Sequence, residues 1–439
     1  MNECNVASDD AARDVATRDE NGEGDDNIHG GGVSKATTIT TTSSSPPPLR
    51  QEELPWIFSR MPNTAFGIPM GLGGHAIVWK SAAKVMESTN NSNFNNFAST
   101  ANIMNIIVWI SSLVVLCIVG ICYIYKLAYN FEYVQKEWRC PTRTHFMNGP
   151  HLTLLMLGIG IPQYITDIVG MTPTGLRIVW TTAFISQLVI TQFMYEHWFF
   201  DEKQPPSPST TTAVGSNHHP HHHGSSRRLS CARPQFLLST VGWFLLSVLG
   251  SICRLNEVWG INLPAFCLGA GSMLYMMVIM NIFNDHNASN SKENVIKRGS
   301  PALFLLIAPP SVAVVAIDML TVEAYDDGQQ ESSFSIVSQI ILGWCLLIVI
   351  LLIRLGPIIT KRPPVLGIYW AYVFPSSALA SALLRYASVT DTGSSYILAV
   401  VFVILSFLAL IIVFCRTIYH CIKCMMVKDE SWGDPLLSS

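Results

Sequence analysis

Ten apolar stretches lie between Phe66 and Met425, and they alternate between interrupted and continuous. The interrupted ones are 66–86 with Pro69, 150–167 with Pro162, 236–254 with Gly242 and Gly250, 301–320 with Pro309 and Pro310, and 366–388 with Pro375. Between them run 102–129, 176–200, 263–283, 334–355 and 396–425, none with a proline in the middle. A proline inside a helix removes one backbone hydrogen bond and clashes with the preceding turn. In a bilayer the freed carbonyl must be met by protein or by water in a cavity, so such stretches belong inside the assembly. The alternation therefore predicts an all-α polytopic membrane protein. Its ten transmembrane helices form five hairpins, with kinked odd-numbered helices lining a central pore. The kinks are expected at Pro69, Pro162, Gly242, Pro309 and Pro375.

Composition supports the membrane assignment. Of 439 residues only 13% are charged and 49% are hydrophobic, against about 25% charged in a soluble domain. Most stretches reach or approach the roughly 20 residues a helix needs to cross about 30 Å of hydrocarbon. Those at 150–167 and 236–254 are the shortest.

Polar segments divide the rest. Residues 1–50 carry nine acids against four bases, then a Gly run, a Thr/Ser run and Pro46 to Pro48, a composition that cannot bury a core. Residues 1–55 read as a disordered cytosolic tail, 56–425 as the ten-helix domain and 426–439 as a second cytosolic tail. The first segment has no signal-peptide apolar region, so the first span directs insertion. Within the domain, 201–234 is a low-complexity loop holding His218, His219, His221, His222 and His223. Clustered histidines bind metals, but no cysteine or carboxylate is placed to complete a site, and a solvated loop is expected. Cys421 and Cys424 form a CxxC with no second pair, which suits packing or palmitoylation. No metal, cofactor or nucleic-acid partner is expected. Asn284-Asp285-His286 reads as a helix end, and no buried catalytic cluster points to an enzyme.

Lys and Arg counts in short loops orient the spans. With the N-terminus in the cytosol, fourteen bases fall inside, from Lys126 through Arg362, against five outside: Lys80, Lys84, Arg177, Arg254 and Arg385. Both termini are then cytosolic, and the sequon at Asn90 lies outside as a glycosylation acceptor. Lys80, Arg254 and Arg385 stand at the outer ends of interrupted stretches. One reading makes them a positive pore mouth that attracts anions; the other has them snorkelling to headgroups. His75 is the main ionisable group within an interrupted stretch and a candidate pore-lining residue. No span carries the carboxylate–histidine chain of a proton relay, which favours passive conduction. Ser230, after Arg227-Arg228-Leu229, is a candidate site for a protein kinase.

Four ordered segments resemble a known family. Phe66-Gly-Ile-Pro-Met-Gly-Leu-Gly-Gly-His-Ala-Ile-Val-Trp-Lys80 is similar to the first span of the plant slow-type (guard-cell) anion channels. Phe131-Glu-Tyr-Val-Gln-Lys-Glu137, followed by Pro141, resembles their second intracellular connection. Ser300-Pro301 through Ala308-Pro309 resembles their seventh span. Tyr369-Trp-Ala-Tyr-Val-Phe-Pro375, with Leu384-Arg-Tyr-Ala387, resembles the ninth. The resemblance covers about residues 60–425, and the wider group is the tellurite-resistance/dicarboxylate transporter superfamily. It implies a ten-helix subunit around its own pore, assembled as a homotrimer, with Phe374 as the plug. It also implies chloride or nitrate as cargo; the alternative from the same superfamily is a dicarboxylate (malate) or sulfite permease. The expected setting is the lipid bilayer of the plasma membrane. His75, the long His-rich loop and the N-terminal tail depart from the family pattern.

Overall fold

The computed structural model describes residues 61–88, 92–139, 144–170, 173–200, 236–255, 262–288, 301–324, 334–359 and 369–427. Asn90, Ser230, the 1–55 tail, the 201–234 loop and residues from 428 onward lie outside the described residues.

Regular structure among the described residues is helical throughout. In chain order the α-helices are α1 (Gly67–Ser88), α2 (Ser92–Tyr129), α3 (Phe131–Arg139), α4 (Gly149–Gly160), α5 (Gln163–Val169) and α6 (Pro173–Phe200). They continue with α7 (Leu237–Ile252), α8 (Leu263–Ala288), α9 (Ala308–Ala324), α10 (Ile336–Ile359), α11 (Trp370–Thr390) and α12 (Gly393–Val427).

Several prolines do something other than kink a helix. Pro69 is the third residue of α1, entered from a 3-10 turn at Asn63–Phe66, and Pro309 and Pro310 sit in the first turn of α9. First-turn N–H groups have no intrahelical acceptor, so proline there removes no helix bond. The kinks expected mid-helix at Pro69 and Pro309 are helix starts. Pro162 is a true break, with the chain bending 91° between α4 and α5, and Pro375 lies inside α11. Gly242 sits within the continuous helix α7. A Cβ there would lie 2.2 Å from the Gln187 Oε1, so the glycine admits a neighbour's side chain.

Among the described residues six helices are long and apolar enough to cross a membrane, or seven if the bent α4–α5 pair counts as one span. The ten expected spans are not all recovered by that measure. Helix α7 has only 16 residues. Helices α1 and α11 have 22 and 21, but glycines, His75 and Lys80 in one and serines and Arg385 in the other dilute their apolar character. Burial explains the tolerance: a helix surrounded by protein does not have to match lipid.

Two populations of helix result. Helices α1, α4, α7, α9 and α11 touch one another in that cyclic order, with α11 returning to α1. Gly71 faces Trp370 and Gly74 faces Ser377; Asn148 bonds Leu238, and Gly158 faces Leu249. Residue numbers rise together at these contacts, so these neighbours run parallel. The long helices α2, α6, α8, α10 and α12 lie outside them and leave Ile124, Val189, Met273, Ile340 and Ile397 more than half exposed, as a lipid-facing surface requires. Helix α12 stands off from α2, leaving an apolar groove of about 450 Å³ between them.

Polar side chains tie the helices together, most of them from an outer helix to an inner one. Trp109 Nε1 donates to the Leu157 carbonyl at 2.9 Å, Lys80 Nζ to Ile159 at 2.9 Å, and Asn105 Nδ2 to Gly160 at 3.1 Å. These acceptors are the last carbonyls of α4, orphaned where Pro162 ends the helix. On α7, Trp180 Nε1 and Gln187 Nε2 likewise reach the carbonyls of Leu246 and Ser239 at 2.8 and 2.9 Å. At the end of α2, Lys126 and Glu137 of α3 form an ion pair of 2.9 Å, their side chains 0% and 1% exposed. The Lys126 ammonium also lies 4.5 Å from the Tyr133 ring centre, a cation–π contact.

Candidate functional site

The five inner helices meet around one small cavity of about 40 Å³. Its wall takes Gly74 and Ile77 from α1, Ile159 from α4, Leu245 and Val248 from α7, Val312 and Val315 from α9, and Phe374, Ser377, Ala378 and Ser381 from α11. The lining is hydrocarbon apart from two hydroxyls, and both of those are turned to their own helix. Ser377 donates to the Phe374 carbonyl at 2.8 Å and Ser381 to that of Ser377 at 3.0 Å. A space of this size admits a water or two and not a hydrated anion.

Phe374 is 2% exposed and sits just before Pro375 in α11. Opposite it, a Cβ on Gly74 would come within 2.4 Å of Ser377 Oγ and 3.4 Å of the Phe374 ring. The missing side chain at 74 makes room for this part of α11. Nothing in the sequence pairs Gly74 with Phe374, since only the register between α1 and α11 brings them together.

The other expected residues distribute unevenly. His75 is not on the cavity wall; its Nε2 lies 3.2 Å from Ser406 Oγ on α12, and its ring meets Phe407 edge-on at 6.4 Å. The helical step explains this: 74 and 77 face the cavity, and a residue one position on from 74 is turned about 100° away. Lys80 caps the end of α4 through the Ile159 carbonyl. Arg385 pairs with Asp318 of α9 through Nε and Oδ2. Arg254 follows α7 in a left-handed conformation, φ 49°, and is exposed. Pro69 and Pro309 stand at helix starts, Pro162 at a break, Gly242 at a close approach and Pro375 inside α11, all in or beside the helices that carry the cavity.

A sequence profile described as voltage-dependent anion channel matches residues 60–418. The S-type anion channel SLAH2 of Arabidopsis thaliana is 27% identical over 371 residues, covering 84% of this chain and 61% of that protein. The guard cell S-type anion channel SLAC1 of the same plant is 26% identical over 372 residues, 84% of this chain and 57% of the relative. The S-type anion channel SLAH3 is 26% identical over 373 residues, with 83% and 49% covered. The chain thus aligns with between about half and three-fifths of the length of these relatives.

Proposed function

Because this chain belongs to the voltage-dependent anion channel family, we propose that it passes small monovalent anions, chloride and nitrate, down their gradient. The proposed route runs between the parallel inner helices, with ten spans arranged as five hairpins, and Phe374 closes it. The observation that carries this reading is the cavity to which all five inner helices contribute, with the Phe374 ring on its wall. An apolar constriction stops ions because an anion entering it must shed its hydration, and pores gate by such dewetting. The S-type anion channels of Arabidopsis to which the chain is similar support anions as cargo.

Lys80, Arg254 and Arg385 attract anions toward one end of the route in this reading, and the partners of Lys80 and Arg385 moderate that attraction. A homotrimer in the plasma membrane, cytosolic termini and control by a kinase at Ser230 complete the proposal; they rest on the resemblance, the loop charges and the basic motif before Ser230.

Voltage clamp in oocytes, with chloride, nitrate, malate and sulfate exchanged in turn, tests both cargo and gate. The expected result is a chloride and nitrate current in the wild type and a severalfold larger one in Phe374→Ala at equal surface amount. A phenylalanine with only a packing role would instead cost about 3–5 kcal/mol on truncation. It would then show less protein at the surface and no gain in current per molecule.

A further inference from the structure

The wall of the cavity continues in register into a charged layer. On α11 the lining residues Phe374, Ser377, Ala378 and Ser381 are followed on the same face by Arg385, four residues on. On α9 the lining residues Val312 and Val315 are followed by Asp318, three residues on. At 1.5 Å of rise per residue each charge lies roughly 4.5–6 Å along its helix from the last lining residue. There the two helices are joined by the bond from Arg385 Nε to Asp318 Oδ2. The Asp318 side chain is 2% exposed and that of Arg385 is 26% exposed, so the carboxylate is held within protein while the guanidinium reaches its surface.

A buried carboxylate beside an anion route is unexpected. It repels the cargo, and burying the pair costs desolvation that apolar residues of equal volume avoid. The arrangement suits a different task. A conducting site must bind its ion well enough to admit it and weakly enough to release it. A bare guanidinium, with five donors in a planar fork, would hold an anion too well.

We propose that Asp318 is a resident counter-ion that competes with the passing anion for Arg385 and so sets how weakly anions bind about three turns beyond the plug. This rests on the reading of the chain as an anion channel. A passing anion takes up guanidinium donors as the carboxylate yields them, and the carboxylate recovers them as the anion leaves. Asp318 is in these terms a positioning residue for Arg385, and the ligand class is a small inorganic anion.

The test is current against chloride concentration, in the wild type and in the Phe374→Ala background, with surface amount measured in parallel. Asp318→Asn should lower the half-saturating chloride roughly tenfold, a change of about 1.4 kcal/mol, and reduce the saturating current. Asp318→Glu, which keeps the charge, should stay near the wild type in half-saturation. Asp318→Asn combined with Arg385→Gln removes both charges, leaves no unpaired ion, and should raise half-saturation above the wild type. A half-saturation unchanged in Asp318→Asn, or unchanged in the double variant if the single one does not reach the surface, overturns the proposal. Absence of anion current from both the wild type and Phe374→Ala would strike the channel reading itself, which is a separate outcome.

Discussion

Helix α7 spans 16 residues, and every one from Leu237 to Ser251 is buried. Helix α12 runs for 35 residues and leaves Ile397, Ile404 and Ile412 more than half exposed. Both are strongly apolar, so hydrophobicity does not tell the inner helix from the outer one: lipid tails and protein interior reward the same side chains. The difference lies in the small and hydroxylated residues. Ser239, Thr240, Gly242, Ser247 and Gly250 let α7 lie close against neighbours, while the middle of α12 is bulky and aliphatic. An inner helix is recognised by what approaches it.

That contrast can be broken most forcefully at Lys126, on the outer helix α2 but fully buried. Lys126→Met takes the ammonium away from a carboxylate that is 1% exposed and should cost about 3–5 kcal/mol. Thermal unfolding in detergent reads this, and adding Glu137→Leu should recover most of the loss. An unchanged midpoint in the single variant would mean that α2 is only a lipid-facing coat. Next in size is Gly242→Ala on α7, which sets a methyl against Gln187; overpacking of this kind costs about 1–3 kcal/mol. The smallest effect has the opposite sign. Gly343 on outer helix α10 has no atom near its absent Cβ, so Gly343→Ala should stabilise by about 0.5–1 kcal/mol. Destabilisation there would show that this face is covered in the assembled protein.

Much of the two-population plan was legible before the structure. The interrupted stretches became the buried helices and the continuous ones the exposed helices; a freed carbonyl met by protein donors accounts for this where Pro162 ends α4, and small residues that permit close packing account for it at Gly242. The helical, membrane-spanning character was legible in the length and apolarity of the stretches, and the family in the four ordered segments that resemble it. What proline does at each site was not. Pro69 and Pro309 start helices, and whether a proline starts or kinks a helix depends on where the helix begins, which apolar periodicity leaves open by a turn. The candidate site was legible through Phe374 and its motif. Asp318 stands two residues before the end of the 301–320 stretch, but its pairing with Arg385 crosses 67 residues of sequence and depends on the packing of α9 against α11. His75 looked like a wall residue because its helix carries the wall; rotation by one residue turns it to α12.

The donors that cap α4 bear on how the protein is made. Trp109, Lys80 and Asn105, which meet the carbonyls of Leu157, Ile159 and Gly160, all lie in segments that precede α4 in the chain. Trp180 and Gln187 likewise precede α7, whose carbonyls they meet. A ribosome works from the N-terminus, and chains begin to fold as they emerge. Each of these two short helices therefore enters the bilayer after the helices that carry its donors have been synthesised. The orphaned carbonyls at the end of α4 need not wait in hydrocarbon for donors still to be translated.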